Sequence, residues 1–285
     1  MSLGQRLLNL VWGLCGLAPS TDQAAPFAWL QREALPTCRV CGKWVTLRHW
    51  VSPHDEPFCL HHSVPASLCC GCGHVVRDPA HAPGVCEGCR PNIIESADQA
   101  QALLKRVQTD LRDMGLPWWP QVFPVRLLSP KEMKHLQSRP GGPISGLISW
   151  RMTCDPQGRT ARTVDQISLL QARPWLLQGS VLAHELGHAW ILHQGLTGLP
   201  QDLEEGFCNF LSHLWLARTR DPHAAHLMAQ LEKEQDPIYG DGFRRVKSLA
   251  ASGGLLALLP QLGPLAGNGH TPAVWGSSLA QRGLP

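Results

Sequence analysis

The chain has 285 residues, 25 Lys and Arg against 22 Asp and Glu, a formal net charge of +3 and 44% hydrophobic residues. That length holds a medium domain plus a small one. The nearly balanced charge, with no basic run longer than two residues, excludes the electrostatic footprint of a nucleic-acid binder, and no nucleic-acid partner is expected.

Residues 1–35 read as an amphipathic helix followed by a Pro/Ala linker. Leu3, Leu7, Val11 and Leu14 share one helical stripe. Asn9 and Gly13 interrupt the apolar run, no small-x-small cleavage site follows, and the run is too short to cross a bilayer. No transmembrane segment is expected.

Residues 36–92 carry the first chemistry. Cys38-x-x-Cys41, then seventeen residues, then Cys59-x-x-His62 is a zinc-ribbon or LIM-type spacing. Cys69-x-x-Cys72, then thirteen residues, then Cys86-x-x-Cys89 is a second. His61 is an alternative to His62, and Cys70 to Cys69. A Gly-, Pro- and His-rich stretch of this length cannot bury enough core to fold alone, so two structural zinc ions supply the missing free energy. His49, His54 and His74 read as surface residues. Cys15, Cys154 and Cys208 fall outside the pattern and read as buried thiols. Reduced thiols throughout imply a cytoplasmic setting.

Residues 93–262 form the second domain. Ser96-x-x-Gln99 is a capping-box start, after which Leu103, Leu104, Val107 and Leu111 mark an amphipathic helix. Strand-like stretches follow at 121–128, 144–153 and 163–170. Gly146–Trp150 is the candidate edge strand for pairing with extended substrate.

Residues 184–188 read His-Glu-Leu-Gly-His. Positions i and i+4 share a helix face, so His184 and His188 are placed to grip one zinc ion, with Glu185 beside them as proton acceptor. Apart from Glu185, nothing from Val181 to Trp190 except the two His is charged or titratable, so the segment reads as a buried helix. Gly179-Ser180 is expected to cap its start and Gly195 to stop it.

A catalytic zinc needs a third ligand and an open position. Leu203, Phe207, Phe210, Leu211 and Leu214 recur at helical spacing around Glu204-Glu205. Glu205 is the favoured ligand and Glu204 the alternative, because Asn209 lies one turn beyond Glu205 and is suited to hydrogen-bonding a ligating imidazole. Asp202-x-x-Glu205 also fits a capping box. The chain is expected to stay helical to about 262, with an irregular tail at 263–285.

The His-Glu-x-x-His plus Glu set resembles the gluzincins, and Glu205-Gly-Phe207 resembles the third-ligand helix start of their alanyl-aminopeptidase branch. The pairing of this motif with a LIM-like Cys region resembles the plant LIM-peptidase family of organ-size regulators, the DA-one and DA-one-related proteins, and their bacterial relatives. The blocks that carry the resemblance are Cys59-Leu-His-His62, Leu68-Cys-Cys-Gly-Cys72, Cys86-Glu-Gly-Cys89, Arg173–Trp190, Leu203–Cys208, Leu211–Leu216 and Tyr239-Gly-Asp-Gly-Phe-Arg244. The resemblance implies an α+β, gluzincin-type zinc endopeptidase acting on regulatory proteins, preceded by a small double-zinc LIM-like module that meets a regulatory partner. Three departures stand out. No ubiquitin-interacting motif of the kind found upstream in plant members stands among the residues before Cys38. The first module ends Cys-x-x-His rather than His-x-x-Cys. Six residues separate the modules where a standard LIM has two.

The expected mechanism uses three zinc ions, one catalytic and two structural. Zinc at His184, His188 and Glu205 acidifies water toward ~7. Glu185 takes its proton and passes it to the leaving amine. Tyr239, the only Tyr, sits in a Gly-rich turn and is the candidate second oxyanion donor, with His193 and His213 as alternatives. Two rival readings use the same residues: a latent zincin acting as a zinc-stapled adaptor, and hydrolysis of non-peptide amides.

Overall fold

The computed structural model describes residues 36–45, 48–62, 64–77, 84–117, 123–136, 145–154, 160–196 and 198–266. The expected N-terminal helix and linker, Cys15, and the tail beyond 266 lie outside them. The chain divides into two compact units, Met1–Pro91 and Asn92–Pro285.

The first unit repeats one device. Cys38 and Cys69 each open a tight turn, in which Gly42 N–H bonds the Cys38 carbonyl and Gly73 N–H the Cys69 carbonyl, both at 2.8 Å. Gly42 and Gly73 hold φ of 72° and 79°, left-handed values that a side chain resists. Isolated antiparallel bridges, Thr37 to Trp44 and Leu68 to Val75, close the two turns. Between them run β1 (Trp50–Val51) and β2 (Pro57–Phe58), paired antiparallel, and the short helix α1 (Val64–Ser67). Cys38, Val45, Phe58, Cys59 and Val75 make the small core. A cluster this small holds little of such a unit, which is why the Cys clusters matter.

The second unit mixes helix and sheet. A pair of two-residue strands, β3 (Ile93–Ile94) and β7 (Arg173–Pro174), brackets the strand-bearing half. Helix α2 (Ala97–Asp113) starts where the sequence places it: Ser96 Oγ accepts from Gln99 N–H while Gln99 Oε1 accepts from Ser96 N–H. Leu103, Leu104, Val107 and Leu111 are all buried. Then come β4 (Val125–Leu128), α3 (Pro130–Leu136), β5 (Gly146–Cys154) and β6 (Thr160–Leu170). Helix α3 was not expected, yet Ser129 and Glu132 cap it reciprocally, with Pro at its first position.

The sheet order is β4-β6-β5, with β4 parallel and β5 antiparallel to β6. The central strand contributes buried Val164, Ile167 and Leu169, and β5 lies at an edge. Helix α4 (Trp175–His193) follows, then α5 (Gln201–Thr219), α6 (Ala224–Lys233), a π-turn at Pro237–Asp241, α7 (Gly242–Leu249) and α8 (Gly254–Leu265). Trp215 of α5 is fully buried, and its indole N–H donates to Asp110 of α2 at 3.1 Å, so the ring is packed without stranding its own donor.

Four local expectations are corrected. Helix α4 begins at Trp175 behind Pro174, five residues before Ser180, because Pro at the cap loses no donor the helix would use. Gly179 is inside the helix for another reason: a Cβ there would stand 2.1 Å from the Trp215 ring. Asp202 does not cap α5, which starts behind Pro200; its carboxylate instead takes an Arg245 guanidinium at 2.7 Å. Gly263 and Leu265 belong to α8 rather than to an irregular tail. The stop of α4 is as expected: Gly195 at φ 67°, with Gly195 N–H on the Leu192 carbonyl and Leu196 N–H on that of Ile191, is a Schellman ending. No single helix among the described residues is long and apolar enough to cross a membrane.

Candidate metal centres and the surrounding cleft

In the first unit the structure gathers Cys38, Cys41, Cys59 and His62 in one cluster and Cys69, Cys72, Cys86 and Cys89 in another, with the ligand atoms of each within 4.8 Å of one another. His61 and Cys70 are in neither. These Cys-rich clusters fit zinc. Cys38 Sγ accepts the N–H groups of Cys41 at 3.5 Å and Cys59 at 3.4 Å. Burial opposes the Cys38 thiolate, but those N–H groups outweigh it and bring the thiol down to about 7. His62 Nε2 is buried without a hydrogen-bond partner, and burial lowers the ring's pKa, keeping it neutral as a ligand must be. In the second cluster Cys72 and Cys86 sulfurs lie 3.5 Å apart, and hydrogen bonds from Cys72 and Cys89 hold Cys69 far below the thiol range.

His54 and His74 are more than surface residues. Their rings stack at 3.6 Å, His54 Nε2 meets the Cys72 carbonyl at 2.7 Å, and Glu56 Oε2 accepts from Val75 N–H at 2.7 Å. The turn after β1 is thereby tied to the second Cys cluster.

In the second unit, α4 is buried almost all round, with His184 and His188 on its one half-exposed stripe. His184 Nε2 lies 3.2 Å from His188 Nε2 and 3.2 Å from Glu205 Oε2; His188 Nε2 lies 3.6 Å from the same oxygen. Ligands about 2.0–2.1 Å from a tetrahedral zinc stand about 3.3 Å apart, so the triangle has the right size.

The outer nitrogens decide its electronic character. His184 Nδ1 meets Asn209 Oδ1 at 2.9 Å, and His188 Nδ1 meets Glu204 Oε1 at 3.0 Å. Asn209 Nδ2 donates to the Tyr239 carbonyl at 3.2 Å, which turns the amide oxygen toward His184. With the ring protons on Nδ1, both Nε2 atoms present lone pairs inward. Glu205 Oε2 is buried there without a hydrogen-bond partner. Burial opposes charge on Glu205, and positive charge at the facing His184 and His188 nitrogens is what holds its carboxyl down at about 2; a cation between them would supply that charge in place of an inward ring proton. Three lone pairs pointed at one another are repulsive without a cation, and the donor set fits zinc.

Glu204 therefore faces outward and orients His188, while Glu205 faces inward. Asn209, one turn beyond Glu205, is the hydrogen-bond partner of the His184 ring. Cys208 lies within 4.8 Å of both His nitrogens. Burial pushes its thiol up to about 12, so it stays a neutral thiol, whereas the Glu205 carboxylate is held ionised.

Glu185 is buried, and burial raises its carboxyl above the ordinary range against the pull of His184 and His188. The Ile148 N–H of β5 is near enough to that carboxyl to favour its charged form slightly. A Cβ on Gly146 would stand 2.7 Å from Glu185 Oε1. The edge strand thus runs directly past the candidate base.

Tyr239 is carried in by the π-turn, whose start Asp236 caps by accepting from Ile238 and Tyr239 N–H. The turn seats closely on α5, since a Cβ on Gly206 would meet the Gly242 carbonyl at 2.3 Å. Burial first, then the Glu205 carboxylate, raises the phenol's pKa, so it stays a proton donor at neutral pH. His213 is engaged elsewhere, with Glu232 at 3.1 Å. Cys154 is exposed, not buried, because β5 leaves the core before reaching it.

Residues 125–226 match the family described as DA1-like, Protein DA1. Protein DA1 of Arabidopsis thaliana is 24% identical over 79% of this chain and 56% of its own length. Protein DA1-related 7 of the same plant is 23% identical over 80% of this chain and 52% of its own length. The LIM domain-containing protein HDR3 of Oryza sativa subsp. japonica is 46% identical, over 23% of this chain and 13% of its own length. The chain spans about half the length of the first two. No solved structure matches it.

Proposed function

The chain is a relative of the DA1 family, and from that premise we propose that it is a zinc-dependent endopeptidase of gluzincin type that hydrolyses peptide bonds of protein substrates. One observation carries the reading. His184 Nε2, His188 Nε2 and Glu205 Oε2 face one another at 3.2–3.6 Å, with the last a buried acceptor lacking any donor. His184, His188 and Glu205 would hold the catalytic zinc, and the two clusters of the LIM-like unit would hold one structural zinc each. The unit itself serves partner binding or autoregulation; Trp44, Trp50, Val51 and Leu60, all exposed within it, favour an interaction role.

Zinc, when bound, would supply Lewis acidity and make water more acidic. The residues do the rest. Asn209 and Glu204 fix both imidazole tautomers and ring orientations. Glu185, buried and with its pKa raised, accepts the proton from water and delivers it to the leaving amine. Backbone groups of Gly146–Ser149 on β5 pair with the substrate as an added strand, which aligns its scissile bond beside Glu185. The Tyr239 hydroxyl donates to the carbonyl oxygen as charge develops there.

The test combines metal counting with hydrolysis. Purified protein carries three zinc ions and cleaves unfolded protein. Glu185→Gln keeps three and cleaves nothing, and His188→Ala keeps two with the Cys-rich unit folded. Cleavage by Glu185→Gln, or loss of all zinc in His188→Ala, refutes the reading.

A further inference from the structure

Strand β5 changes character halfway along. Gly146–Ser149 is half-buried against the second unit, whereas Trp150–Cys154 is exposed throughout. The change falls at a β-bulge between Ser149 and Trp150. Bulges re-aim the strand beyond them. Past this one, β5 and β6 continue as a two-stranded ribbon, and no described strand pairs with the free edge of β5. At about 3.3 Å per residue its end lies about 20 Å from Ile148 and the candidate base.

The ribbon is not finished as a harmless edge. Natural edges are blunted by Pro, inward charge or shortness, and a long apolar free edge invites pairing. Here Trp150 is 46% exposed and Met152 59% exposed. Met152 stands opposite Arg162, and Trp150 opposite Val164, so Trp150, Met152 and Arg162 share one face. The Arg162 guanidinium lies 5.7 Å from the Trp150 ring centroid. A guanidinium beside an indole is pre-positioned to meet a carboxylate edge-on. On the other face Arg151 already has an acid, Asp165, at 2.8 Å.

We infer that Trp150–Cys154 is a second recognition segment for protein substrates, distinct from the stretch beside the base. It takes an extended, unfolded part of the substrate as an added strand. It selects an apolar side chain, for Trp150 and Met152, next to an acidic one, for Arg162. The inference rests on the reading of β5 as the substrate strand, and it names the substrate class: flexible acidic-apolar segments long enough to run past the bulge. The bulge divides the work, with the near half aligning the scissile bond and the far half holding the chain.

The experiment uses full-length Glu185→Gln protein and a fluorescein-labelled, Gly/Ser-based peptide carrying Leu and Glu, long enough to lie along all of β5. Trp150→Ala with Met152→Thr, both at exposed positions, weakens binding about tenfold without changing the melting temperature. Arg162→Gln removes the preference over the same peptide with Lys in place of Glu. A probe N-methylated at alternate amides loses binding, as strand addition requires. Unchanged affinity in the ribbon variants, or full binding of the N-methylated probe, overturns the inference. So does a concentration-dependent dimer dissolved by Trp150→Ala, which would assign the edge to a second copy of the chain. If binding behaves as expected but the parent protein cuts no peptide, the peptidase reading fails and this one stands. If short peptides spanning only the near half are cut with the same KM as long ones, the far half is not a recognition segment.

Discussion

Gly146→Ala is the substitution in which the structure speaks most directly about catalysis. A Cβ built there stands 2.4 Å from Val181 Cγ1, 2.7 Å from Glu185 Oε1 and 3.2 Å from Glu185 Cγ. Ordinary carbon contacts begin near ~3.5 Å, so the methyl needs about 1 Å of room. Val181 is β-branched on a helix and has one comfortable rotamer. Glu185 is buried and has little room to move. Either β5 moves off α4 or Glu185 turns away from the cleft; both displace the base relative to the substrate strand. A misplacement of about 1 Å costs on the order of 10²-fold in rate. The accompanying overpacking costs about 1–3 kcal/mol of stability, too little to unfold the unit. Steady-state hydrolysis of a peptide substrate, with zinc content and melting temperature measured in parallel, checks this. The expected result is a kcat lowered about a hundredfold with zinc retained. Adding Val181→Ala restores only part of the rate, since the clash with Glu185 persists. A Gly146→Ala enzyme within about twofold of the parent would refute the argument that this strand positions the base.

Other outcomes follow from neighbouring contacts. Glu204→Ala and Asn209→Ala each lower affinity for the catalytic zinc about 10–100-fold, read by competition with a chelator, while the Cys-bound ions are unaffected. Gly179→Ala forces a methyl into the Trp215 ring and destabilises the second unit by about 1–3 kcal/mol or more, measured by denaturant unfolding. Ser96→Ala removes one half of the α2 capping box and costs about 1 kcal/mol in the same measurement. Chelation strong enough to strip the Cys clusters unfolds residues 36–91, seen as fast amide exchange there, while α4 and α5 keep their protection.

What the sequence made legible was whatever its own spacing encodes. The four Cys-x-x pairs, the capping box at Ser96 and the i, i+4 imidazoles are local patterns, and local geometry realises them. What it hid depended on partners far along the chain. Gly179 resembles a helix start, and only the Trp215 ring explains it. Glu204 and Glu205 differ by one helical step, about 100° of rotation, so spacing could favour one as ligand but could not assign the other. The clue to Glu204 was available: two ligating imidazoles need two outer acceptors, and Asn209 is only one. The Ser129-Glu132 pattern before α3 was equally readable. Cys154 counted as buried by its residue type, whereas the bulge after Ser149 carries it into solvent. His54 and His74 gave no signal, since their stacking joins residues twenty positions apart through the turn after β1.

The most direct test of the central claim is a comparison of new protein termini by mass spectrometry. Purified protein and its Glu185→Gln counterpart, each with zinc content verified, are incubated with the same unfolded protein mixture. The account expects new internal termini with the parent protein alone, enriched near flexible acidic-apolar stretches. Identical profiles from two zinc-loaded proteins would contradict it, and the zinc-stapled adaptor would then be the better description.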